Sequence, residues 1–143
     1  MENAVKGPGQ GGLEQESADN EVVRQMKEKL LRLRREEGFD PYVAETWDCR
    51  DHLADVRRRF EHLAPEEADE TVTLSTAGRL MTLRRQGRTT FADLADETGR
   101  IQLYFQVNAL GEKSYEFLKK WVDTGDWLGV VGHPCRTKRG ELT

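Results

Sequence analysis

Apolar side chains recur along this chain with two different periods, and the change of period divides it. Over 21–37, Val23, Met26, Leu30 and Leu33 fall at helical spacing, with Arg24, Lys27, Arg32 and Arg35 on other faces. That pattern predicts an amphipathic helix. Gly38 and Pro41 supply its stop, because glycine tolerates a left-handed exit and proline cannot continue the ladder. A second, shorter helix carries Leu53, Val56, Phe60 and Leu63 and ends before Pro65. The period then falls to two. Val72, Leu74 and Thr76 alternate with Thr71, Thr73 and Ser75, which predicts a strand running toward Leu83, with Gly78 marking a bulge or sharp bend. Runs at 89–96 and 100–106, joined at Glu97-Thr98-Gly99, predict an antiparallel hairpin. Helical spacing returns over 108–122 with Leu110, Tyr115, Leu118 and Trp121, and 127–135 reads as a fourth strand between Gly125 and Pro134. A basic turn follows at 136–140.

Three domains of behaviour are expected. Residues 1–20 are rich in Gly, Gln, Asn, Ser and acids with few large apolar groups, so burial cannot offset their ordering entropy and they read as a disordered tail. Gly7-Pro-Gly9-Gln-Gly-Gly12 spells GxGxxG within it, but no strand precedes it, and a flexible linker is the better reading. Residues 21–65 form an N-terminal helical extension. Residues 70–143 form a mainly β domain whose order of three strands, a helix, a fourth strand and a turn is that of an OB-fold. That fold is a five-stranded Greek-key barrel; the fifth strand would begin near Glu141, so the barrel is expected to be cut at its C-terminus.

Composition narrows the function classes. Of 143 residues 34% are charged and 36% hydrophobic, which implies a heavily solvated surface over a compact core. The net charge of −4 disfavours a globally basic nucleic-acid binder, yet charge is segregated. Arg79, Arg84, Arg85 and Arg88 lie in a stretch without acids, and 61–70 is acidic without Lys or Arg. No apolar run is long enough to span a membrane, and the first residues lack the apolar core of a secretory signal, so the expected location is cytoplasmic. Cys49 and Cys135 cannot staple a disulfide scaffold. Cys49-x-x-His52 and His133-x-Cys135 lack the close cysteine pair typical of zinc sites, and no metal site is expected. Nucleophile-elbow, phosphate-loop and HExxH motifs are missing, so no catalytic residue is assigned.

Strand parity points to binding instead. Ile101, Leu103 and Phe105 identify the inner face of the third strand, which puts Arg100, Gln102, Tyr104 and Gln106 outside. Ala92 and Leu94 likewise put Phe91 and Asp93 outside. An exposed ring beside an exposed amide, on the strands that form the oligonucleotide face of OB-folds, is a platform for a base and a reader of its edge. Strict alternation from Leu80 turns Arg84 inward unless the register shifts. Arg84, Arg85 and Arg88 are candidates for neutralising phosphates.

Several linked stretches carry a family resemblance. Ala77-Gly-Arg-Leu-Met81, Gly87-Arg-Thr-Thr-Phe-Ala-Asp-Leu94 and Asp96-Glu-Thr-Gly-Arg-Ile-Gln-Leu-Tyr104 resemble the N-terminal anticodon-binding domain of class II lysyl-tRNA synthetases. Gly38-Phe-Asp-Pro-Tyr42 upstream is similar to that family's opening. Phe117-Leu-Lys-Lys, Asp123-Thr-Gly-Asp126 and Arg136-Thr-Lys-Arg-Gly-Glu-Leu-Thr143 are similar to its closing segment. The resemblance implies recognition of a uridine-rich lysine anticodon, with the central uridine held at the positions of Phe91, Gln102 and Arg84 and a further contact at Glu141. Ala95 stands where the family often has Gln, and Arg88 where it often has Lys. It also implies that ATP, magnesium, lysine and the main homodimer interface belong to a catalytic domain beyond Thr143. The parent would then be an ATP-dependent lysine–tRNA ligase, whereas this segment would hold no cofactor, act alone as a monomeric tRNA binder and be inactive as an enzyme. The alternatives are an OB-fold protein-interaction module, using the amphipathic 21–37 helix, or the anticodon domain of an aspartyl- or asparaginyl-tRNA synthetase.

Overall fold

The computed structural model describes residues 11–43 and 46–143, with the backbone alone for 11–19. These residues fall into two compact units divided after Ala44. The first contains helix α1, Gly11–Glu37. The helix starts ten residues before the predicted Glu21, so 11–20 is helical where a disordered tail was expected. Leu13, Glu14, Gln15, Glu16 and Ala18 are all good helix formers, which favours the extension. The rest of the predicted tail, with most of the GxGxxG stretch, lies outside the described residues. Arg34 and Arg35 stand in the last turn, where they complement the helix dipole, and Gly38 exits with φ 62°. Beyond it the Arg34 guanidinium donates to the Asp40 carboxylate at 2.7 Å and the Tyr42 N–H donates to the same side chain.

The second unit begins with helix α2, Leu53–Arg59, followed by strands β1, Leu74–Gln86, β2, Thr89–Ala95, and β3, Arg100–Gln106. Helices α3, Val107–Leu110, and α4, Glu112–Trp121, precede strand β4, Trp127–Gly132. The strands form one curled antiparallel sheet in the order β3-β2-β1-β4. The length of β1 makes this possible: Leu74–Arg79 pairs with β4 and Arg79–Gln86 pairs with β2. Gly78 permits the changeover, because a Cβ there would stand 2.4 Å from the Ala95 carbonyl oxygen. Gly87, with φ 60°, turns the chain from β1 into β2.

The core fills the concave face. Thr90, Ala92, Leu94, Ile101, Leu103 and Phe105 point inward as parity predicts, and Leu53, Val56, Phe60 and Leu63 close one end. The helical run after β3 is broken at Gly111, φ 84°, which leaves Leu110 exposed while Tyr115, Leu118 and Trp121 are buried. The buried Thr90 hydroxyl meets the Tyr115 hydroxyl at 2.9 Å, so docking α4 leaves neither polar group stranded. Between the edges of β3 and β4 lies a cleft of about 580 Å³, lined by Leu103, Phe105, Leu118, Val122, Leu128 and Val130. After β4 the chain reverses at 136–140, and Thr143 exchanges two backbone hydrogen bonds with Cys135. Residues near Glu141 thus make a bridge, Arg136 with Leu142, rather than a fifth strand within the described residues.

The turn after β2 holds α2 in place. One Asp96 carboxylate oxygen accepts the Leu53 N–H at 2.9 Å, and the other accepts the Thr98 and Gly99 N–H groups and the Thr98 hydroxyl. Thr98 Oγ1 in turn accepts the Ala54 N–H. Two orphan donors of the α2 first turn are therefore satisfied by another element. Burial raises the Asp96 pKa, but these donors outweigh it and hold the carboxyl below its usual range. A carboxyl depressed by folding stabilises in full above pH ~4 and loses that contribution as pH falls through its folded value. Asp96→Asn is expected to cost about 1–3 kcal/mol in urea unfolding at pH 7 and progressively less as pH falls below about 4. A penalty that stays constant across the acid range would overturn this account of the cap.

Candidate nucleic-acid interface

The convex face of β1, β2 and β3 carries two cross-strand rows. Arg84, Phe91 and Tyr104 are register partners in one, and Thr82, Asp93 and Gln102 in the next. Arg84 reaches this face through a register shift between Leu80 and Thr82, where Met81 is the extra residue. The inward phase set by Leu80 thereby becomes inward at Leu83 and outward at Thr82 and Arg84. The irregularity expected at Gly78 sits three residues later, and it decides which way the arginine points.

The side chains brought together are chemically coupled. Phe91 and Tyr104 stack with ring centroids 4.6 Å apart and planes inclined by 19°. Tyr104 therefore covers one face of the Phe91 ring. Arg84 crosses over β2 and donates from Nη2 to Gln102 Oε1 at 3.0 Å. Gln102 Nε2 donates to Thr143 Oγ1 at 3.1 Å, and the Thr143 hydroxyl donates to the Glu141 carbonyl at 3.2 Å. Thr82 Oγ1 donates to Asp93 Oδ2 at 2.7 Å, closing the second row. The ensemble offers an aromatic ring, an amide and a guanidinium on one exposed sheet face, which suits a flat heterocycle with polar edges.

Glu141 stands apart from that trio. Its carboxylate lies 3.9 Å from the Arg57 guanidinium, and only its backbone carbonyl joins the Gln102 chain. Of the remaining arginines, Arg79 donates to the Gly125 carbonyl, Arg85 to the Val122 carbonyl and Arg88 to Glu112. Phosphate neutralisation by Arg85 or Arg88 would therefore compete with existing bonds. Cys49, His52, His133 and Cys135 are not drawn into one cluster; His52 groups instead with Asp96 and Glu97. Asp96 already spends both oxygens on backbone and hydroxyl donors, so this trio is better explained as the α2 cap than as a metal centre. The Phe91–Tyr104 stack and the participation of Thr143 were not read from the sequence.

A curled antiparallel sheet with a base-sized aromatic and polar face defines an OB-fold nucleic acid binding domain, and residues 74–143 match that family, of the tRNA anti-codon type. The chain is 46% identical over 116 residues to a lysine–tRNA ligase of Methanoculleus marisnigri, covering 81% of this chain and 22% of that protein. It is 38% identical over 130 residues to a lysine–tRNA ligase of Streptococcus pneumoniae, covering 90% of this chain and 25% of the relative. A Streptococcus pyogenes lysine–tRNA ligase is 39% identical over the same length. The chain carries an anticodon-binding OB-fold domain of the lysyl-tRNA synthetase family. It spans about a quarter of the length of these relatives.

The ring stack has a measurable energy. A double-mutant cycle of Phe91→Ala and Tyr104→Ala in unfolding experiments is expected to give a coupling of about 0.5–1.5 kcal/mol, typical of paired aromatics. Additive penalties would mean that the rings do not hold each other in solution.

Proposed function

We propose that the β1–β2–β3 face binds the anticodon loop of a lysine tRNA and reads its central uridine. The observation that carries this reading is the juxtaposition of the Phe91 ring, backed by Tyr104, with the Arg84–Gln102 pair. A base stacked on this aromatic pair gains about 1–3 kcal/mol, and its polar edge then meets Gln102. Arg84 supplies positive charge on a platform that also carries the Asp93 carboxylate, itself bonded by Thr82, and Glu141 contacts the loop from the neighbouring turn. Phosphate attraction makes binding salt-dependent. The lysine–tRNA ligases to which the chain is similar favour lysine over the aspartate and asparagine alternatives.

On this reading residues 70–143 are the reader and 21–65 an extension to it. The protein as a whole attaches lysine to tRNA with ATP in the cytoplasm, and this segment selects the tRNA without a cofactor. Among the described residues no helix is long and apolar enough to cross a membrane.

Fluorescence anisotropy with a labelled lysine anticodon stem-loop tests the proposal. Phe91→Ala is expected to weaken binding by about 1–3 kcal/mol while leaving amide dispersion intact. The unaltered chain should prefer the lysine loop over an aspartate loop. Equal affinity of a folded Phe91→Ala variant would overturn the assignment of Phe91, and equal affinity for the two loops would overturn that of the amino acid.

A further inference from the structure

We propose that Thr143 is a positioning residue that locks the Gln102 amide in one orientation, so that the site discriminates uridine from cytidine. This inference rests on the uridine-reading function proposed above and extends it to a residue outside the reading trio. It follows from the direction of the hydrogen bonds. A guanidinium has five donors and no acceptor, so whatever atom Arg84 Nη2 meets at 3.0 Å must accept. That atom is Gln102 Oε1. At the other end a peptide carbonyl can only accept, so the Thr143 hydroxyl, 3.2 Å from the Glu141 oxygen, donates there. Its lone pairs are left to receive Gln102 Nε2 at 3.1 Å. Both ends of the chain Arg84, Gln102, Thr143, Glu141 therefore impose the same polarity. Rotating the amide by half a turn would set its NH2 against the guanidinium and force the threonine hydroxyl to abandon the carbonyl.

The fold builds this lock from a distant part of the chain. The reversal at 136–140 returns Thr143 to Cys135, where its N–H donates to the Cys135 carbonyl at 2.7 Å and its carbonyl accepts the Cys135 N–H at 2.9 Å. Because the backbone of Thr143 is fixed on both sides, its hydroxyl is held beside β3 rather than swinging in solvent. Gln102 keeps one lone pair on Oε1 and one N–H on Nε2 for a ligand. A uracil ring presents a donor at N3 and an acceptor at O4, whereas cytosine presents an acceptor at N3 and a donor at N4. For a ring held in one stack on Phe91, the two pyrimidines thus demand opposite amide polarities. With the polarity fixed, uracil is accepted and cytosine must break the lock.

The test compares anticodon stem-loops carrying uridine or cytidine at the central position, titrated into the full chain, Thr143→Val and Thr143→Ser. Valine preserves the β-branched shape and the backbone pairing but removes the hydroxyl; serine keeps it. The unaltered chain is expected to favour uridine by roughly 10- to 100-fold, the equivalent of one or two hydrogen bonds. Thr143→Val should lower that ratio by about fivefold or more, chiefly by strengthening cytidine binding, while Thr143→Ser retains it. Amide spectra of each variant establish that it is folded. If the unaltered chain prefers uridine and folded Thr143→Val keeps the same ratio, the lock is overturned and the function stands. If the unaltered chain does not distinguish the loops, the uridine-reading function itself is overturned. Should Thr143→Val fail to fold, Thr143→Ala, which also lacks the hydroxyl, carries the test beside Thr143→Ser: a lowered ratio in folded Thr143→Ala that Thr143→Ser does not show supports the lock, and an unchanged ratio overturns it.

Discussion

A single strand has to serve two partners, and the rest of the domain depends on how it does so. β1 gives its first half to β4 and its second half to β2, meeting both at Arg79. A flat strand could offer both edges to neighbours, but it could not close them around a core. The glycine at 78, where no side chain fits beneath Ala95, and the extra residue at Met81 supply the required bend. The same irregularity re-aims every side chain after it. The sheet can thus keep Leu80 and Leu83 inside and still carry Arg84 on its outer face.

Function and stability use separate surfaces of this sheet. The concave side is occupied by Ala92, Leu94, Ile101, Leu103 and Phe105 packed against helices, and its buried hydroxyl at Thr90 is satisfied by Tyr115. The convex side has the half-buried Phe91 stacked on the exposed Tyr104, and the Arg84–Gln102 bond. Neither group is needed to complete the core, and such side chains persist on a solvated face at some cost in exposed apolar area. The α2 end is fixed independently by Asp96, so the position of the helix does not depend on the face that meets ligand.

Much of the site was legible in the order of residues. Inward residues must oppose inward residues across a ladder, which allows Phe91 to oppose Gln102, Tyr104 or Gln106; the observed pairing of Leu94 with Ile101 selects Tyr104. That register leaves four residues, 96–99, in the connecting loop, one more than the turn read at 97–99. Helical spacing over 108–122 was equally plain, but the break at Gly111 depends on one positive φ, which periodicity does not register.

The sequence by itself determined the two periods and the inner and outer faces of β2 and β3, with Phe91 and Gln102 on the outer one, where the structure leaves both half-buried rather than exposed. Alternation along a strand is a local property, because each side chain points opposite to the one before it. Only the tertiary structure decided the direction of Arg84 and the approach of Thr143 to Gln102. The first turned on a one-residue bulge whose place is set by pairing with β2, and the second on a reversal that brings together residues 41 positions apart. Such contacts are fixed by closure of the whole sheet, a constraint that no short window of residues contains.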